Sequence, residues 1–143
     1  MITPSKIYEE VRASGRHIII GGLKLFPPGG KNIISKNEAK INRWSLLEDT
    51  DARIEGIDNK SCLIEMRDHW NHALRNRYFL KSFKKDASWM YLGESDAADE
   101  LFPIEFNVDN LEVGSYILKA IITGDTDEYQ FIAEDSLLIE LTP

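Results

Sequence analysis

The chain has 143 residues, 43% of them hydrophobic, with 17 basic and 24 acidic side chains, a formal charge of −7 and one cysteine. That is an ordinary composition for one globular domain. Cys62 has no second cysteine to pair with, which excludes a disulfide-stapled scaffold. No apolar run approaches the roughly twenty residues of a membrane-spanning helix. Met1–Gly15 lacks the apolar centre of a signal peptide, so the expectation is a soluble, cytoplasmic protein without a membrane span.

Charge is unevenly placed. Residues 1–65 are nearly neutral, residues 66–85 carry six basic side chains against Asp68, and residues 86–143 carry fourteen acidic side chains against Lys119. An acidic last third of this strength argues against nucleic acid as a partner. It fits either a solvated surface or one that attracts a cationic partner.

In chain order, Thr3-Pro4 reads as an N-cap followed by proline at the first helical position. Ile7 and Val11 share one face of the helix that follows, and Gly15 suits the left-handed residue after its end. Residues 1–15 are therefore expected to form a short helix packed on a domain spanning 16–143. His17–Phe26 then alternates with period two, with a parity switch at Gly21-Gly22 that suggests a β-bulge. Short apolar runs follow at Ile41–Leu47, Ala52–Ile57, Cys62–Met66, Arg77–Phe83 and Trp89–Leu92. Asp58-Asn59-Lys60 reads as a hairpin connection. Met66–Asn76 reads either as a short helix or as a hairpin tip. The last three strands are the plainest: Phe102–Val108, Tyr116–Ile122 and Leu137–Leu141 all alternate. Many short strands without a long helical pattern predict an all-β, antiparallel sandwich.

Leu111-x-x-Gly114-x-Tyr116 lies between two alternating strands. It resembles the corner of immunoglobulin-like sandwiches at which a tyrosine hydroxyl bonds back to nearby backbone. Arg67-Asp68, Leu111–Tyr116 and Tyr129-Gln130-Phe131 stand in an order similar to that of the carbohydrate-binding sandwiches appended to polysaccharide-export ATPases. The resemblance covers Leu63–Leu141 and implies an immunoglobulin-like fold with ligand recognition.

Candidate sites follow from residue type and grouping. Trp70, Arg75, Arg77 and Tyr78, with Trp89 and Tyr91 as a second aromatic group, offer the aromatic and arginine side chains that anchor recognition surfaces. The same basic stretch also reads as a strand with its aromatic side toward the core. Glu94, Asp96, Asp99 and Glu100 form one acidic loop, and Asp125, Asp127 and Glu128 another. Either could meet a basic partner or a cation. Asp68, His69 and His72 lack a further ligand and assign no metal. Cys62 lies in an apolar run and reads as a small buried hydrophobe. Neither a phosphate-binding loop nor a nucleophile elbow occurs, and nothing implies a cofactor. The expected function is a non-enzymatic recognition module for a protein or glycan ligand. The alternative is a small acidic inhibitor or immunity-type protein that neutralises a basic enzyme.

Overall fold

The computed structural model describes residues 1–20, 23–25, 31–36, 44–45, 53–54, 75–95, 104–125 and 130–143. Helix α1 spans Pro4–Ala13, and the strands are β1 (His17–Ile20), β2 (Leu23–Lys24), β3 (Ile33–Ser35), β4 (Trp44–Ser45), β5 (Arg53–Ile54), β6 (Arg75–Ser82), β7 (Met90–Ser95), β8 (Glu105–Phe106), β9 (Gly114–Asp125) and β10 (Gln130–Thr142). The described residues are thus mostly strand with one short helix, as the patterning predicts. Among the described residues, no helix is long and apolar enough to cross a membrane.

The main sheet is mixed. Its order is β1-β10-β9-β6-β7, with β3 also against β10. The β10–β9, β9–β6 and β6–β7 pairs are antiparallel, whereas β1 and β3 both run parallel to β10. A wholly antiparallel sheet was the expectation. The thirteen-residue β10 takes both short strands on the same edge, β1 at Gln130–Ala133 and β3 at Glu140–Thr142, and both run parallel to it. Between these contacts the Asp135 carboxylate accepts a hydrogen bond from the Leu25 backbone N–H at 2.8 Å, serving a donor that no ladder pairs there. The remaining strands form two small pairs, β2–β5 and β4–β8.

Helix α1 follows its sequence signals closely. The Thr3 side chain accepts from the Lys6 N–H at 3.2 Å, Pro4 occupies the first turn, and Gly15 adopts φ 73° beyond the C-terminus. Ile7 and Val11 are buried against Phe79, Ile121 and Ile132 on one face of the sheet. This is the helix face. The opposite, inner face carries the larger core, with Tyr78, Leu80, Tyr116, Leu118, Ala120, Ile122, Ala133, Ile139 and Leu141. Leu25, beside β2, and Phe106 of β8 join that core from the small strand pairs. Ile104, Phe106 and Val108 are buried while Glu105, Asn107 and Asp109 are exposed, the expected alternation. The expected bulge at Gly21-Gly22, the strand at Cys62–Met66 and the segment Met66–Leu74 lie outside the described residues.

At the start of β9, the Tyr116 hydroxyl donates to the Glu112 carbonyl at 2.5 Å, and the ring is buried against the inner core. The bond ties the 108–114 turn to the strand that follows. Tyr116→Phe keeps the ring and removes the bond, so it should lower unfolding stability by about 1 kcal/mol in denaturant titrations. A variant as stable as the parent would show that the turn is held by other contacts.

Candidate functional site

Four candidate residues, Arg75, Arg77, Glu94 and Asp125, lie at one end of the main sheet. Arg75 opens β6 and pairs in register with Thr123 on β9, and Arg77 pairs with Ile121. On the other side of β6, Arg77 lies opposite Glu94, and Asn76 opposite Ser95. Asp125 closes β9 opposite Gln130, the first residue of β10. The chain therefore leaves β7 after Ser95 and leaves β9 after Asp125 at the same end. The two acidic loops begin there together, although Asp96, Asp99, Glu100, Asp127 and Glu128 themselves lie outside the described residues.

Side-chain parity sorts the aromatic and basic candidates. Arg75 and Arg77 fall on the helix face with Phe79, and Tyr91 and Trp89 pack against the cluster on that face. Tyr78, of opposite parity, is fully buried in the inner core. It is thereby removed from the candidate ligand-binding residues. Its hydroxyl instead accepts from the buried Asn76 amide at 2.7 Å, and burial pushes its phenol pKa up. Trp70 lies outside the described residues.

A bulge in β7 brings the polar part together. The register shifts beside Tyr78, so Gly93 faces Tyr78 while Tyr91 faces Phe79, with Leu92 as the extra residue. Gly93 has φ 141°, a conformation that favours glycine. Without the extra residue, Tyr91 and Glu94 would project to opposite faces. With it, the Tyr91 hydroxyl donates to Glu94 Oε1 at 3.4 Å, and Arg75 Nε donates to Glu94 Oε2 at 3.0 Å. Sequence reading placed Glu94 in an acidic cluster and missed this role. Gly93 within an alternating run was the available signal.

The adjoining part of the helix face carries a second aromatic–cationic group. Lys119 and Lys81 lie over the Trp89 ring, 5.1 and 5.6 Å from its centroid, and Lys119 also approaches Glu134 at 3.5 Å. Between α1 and the sheet end lies a cleft of about 320 Å³, lined by Glu10 of α1, Arg75 and Arg77 of β6, and Thr123, Asp125 and Gln130 of the β9–β10 pair. The arrangement is suited to binding polar ligands. No group of three or more potential metal ligands occurs among the described residues.

No protein-family model matches the chain, and no curated protein or solved structure matches it at significance.

Burial and, next, the Glu94 carboxylate raise the Tyr91 phenol pKa above its ordinary value, while Arg77 and Arg75 pull it back. A raised phenol pKa means that the folded state keeps a proton the unfolded chain releases. The associated stability is full below the ordinary phenol pKa of 10.0 and is lost as pH rises through the folded value. Glu94→Gln removes the carboxylate but not the burial. The Tyr91 transition, isolated by phenolate absorbance against Tyr91→Phe, should move down. An unmoved transition would show that Glu94 and Tyr91 are not coupled in solution.

Proposed function

We propose that the chain is a non-enzymatic recognition module of immunoglobulin-like sandwich type that binds a protein or glycan through its helix face. The observation that carries this reading is the emergence of Arg75, Arg77, Trp89 and Tyr91 on one face of two neighbouring strands. Three of the four are half-buried, and Arg75 is exposed. They are therefore rigidly seated yet still offer surface, which reduces the ordering cost of binding. Aromatic rings and guanidinium groups supply large contact area and directional hydrogen bonds from few side chains. The sandwich reading is supported by the Tyr116–Glu112 bond and by Leu25 and Phe106 packing onto the inner face.

The acidic-inhibitor reading draws less support. Of its two described acidic residues, Glu94 is engaged by Arg75, and Asp125 is exposed. The two readings separate in one experiment, a glycan array and affinity capture run with the parent, Arg75→Ala/Arg77→Ala and Asp125→Asn. The recognition reading expects a ligand whose binding falls about tenfold or more in the double arginine variant and far less in Asp125→Asn. Capture of a basic enzyme that depends on Asp125 and ignores the arginines would overturn it. Melting curves control for folding, and the exposed Arg75–Glu94 pair, at 53% and 41% exposure, should cost under about 1 kcal/mol when broken.

A further inference from the structure

Resting on the recognition reading, we infer that the cleft beside α1 binds the carboxylate of an acidic sugar, with Arg77 as its anchor. The two cleft arginines are not equivalent. Arg75 is exposed and already bonded to Glu94. Arg77 is half-buried, and among the described residues no carboxylate lies within ion-pair distance of it. A partly buried guanidinium whose fork no carboxylate occupies is held in place yet open to an incoming anion. Its planar fork matches a carboxylate through two parallel hydrogen bonds.

The surrounding charges choose among anions. Glu10 and Asp125 line the same cleft and are exposed, so they repel additional negative charge. That repulsion grows with the ligand's charge, which disfavours a phosphate dianion relative to a monoanionic carboxylate. The remaining lining selects the body that bears the carboxylate. The Thr123 hydroxyl and Gln130 amide both donate and accept, and Glu10 and Asp125 accept. This combination suits neighbouring hydroxyl groups, each itself a donor and an acceptor. The volume of about 320 Å³ is at the small end for a ligand site and leaves room for about one or two sugar rings.

Calorimetric titration with a uronic-acid disaccharide tests the assignment. Its comparators are the carboxyl-reduced neutral disaccharide, inorganic phosphate, and a short peptide ending in a free carboxylate. The acidic disaccharide should bind the parent. Removing its carboxyl, or replacing Arg77 by Gln, should weaken binding about tenfold or more. Arg77→Lys should fall between, retaining charge without the fork, and Thr123→Val should weaken binding several-fold with an unchanged melting midpoint. These two variants carry the test if Arg77→Gln folds poorly. Equal binding of the neutral disaccharide, or tighter binding of phosphate or peptide, would overturn the acidic-sugar assignment. If acidic sugars fail while another ligand binds through Trp89 and Tyr91, this inference falls and the recognition reading stands. If nothing is retained by the parent through either group, both fall.

Discussion

Twelve residue pairs join β9 to β10, from Asp125–Gln130 at one end to Gly114–Leu141 at the other, and every other part of the main sheet is registered against them. β10 receives β1 and β3 on its outer edge, and β9 receives β6, which in turn holds β7. Side chains alternate strictly along β9, so this single pairing fixes which residues belong to each face. A slip of one residue would carry Leu118, Ala120 and Ile122 out of the inner core and bring Lys119 into it. The cost of burying an unpaired ammonium holds the register.

From that register follow two faces with different duties. The inner face is apolar, and Leu25 and Phe106 pack into its core from beside the small strand pairs. The helix face is only partly covered. Ile7 and Val11 of α1 seal Phe79, Ile121 and Ile132, while Arg75, Arg77, Trp89 and Tyr91 border that seal. The β7 bulge then adds Glu94 to the helix face, where it orients both Arg75 and the Tyr91 hydroxyl. The ion pair of Arg75 with Glu94 is a direct product of that bulge. A regular β7 would leave both arginines without the carboxylate.

Much of this is legible in the sequence wherever a local rule is decisive. Thr3, Pro4, Ile7, Val11 and Gly15 specify α1 because capping and helical periodicity depend only on neighbours. The alternations in 104–108, 116–122 and 137–141 mark strands for the same reason, and Leu111–Tyr116 marks the hydroxyl bond to Glu112. Parity also separates Tyr78 from Arg75 and Arg77, although grouping these residues by chemical type obscures it. What stays hidden depends on distant partners. The parallel docking of β1 and β3 on β10 joins residues more than a hundred positions apart. The role of Glu94 requires the bulge, which one glycine only hints at. The meeting of the β7 and β9 ends requires knowing that β6 lies between them.

The central claim is that the β9–β10 pairing, flanked by β6, is the most stable unit and that α1 is an attachment to it. Native-state hydrogen exchange tests this directly, because each amide reports the free energy of the opening that exposes it. The slowest exchange is expected at the buried centre of β9, Leu118–Ile122, and at its partners on β10 and β6. The α1 amides should exchange through a smaller opening that leaves the sheet protected. If α1 were as protected as β9, or if β9 exchanged before β6 and β7, the pairing would not be the element on which the rest depends.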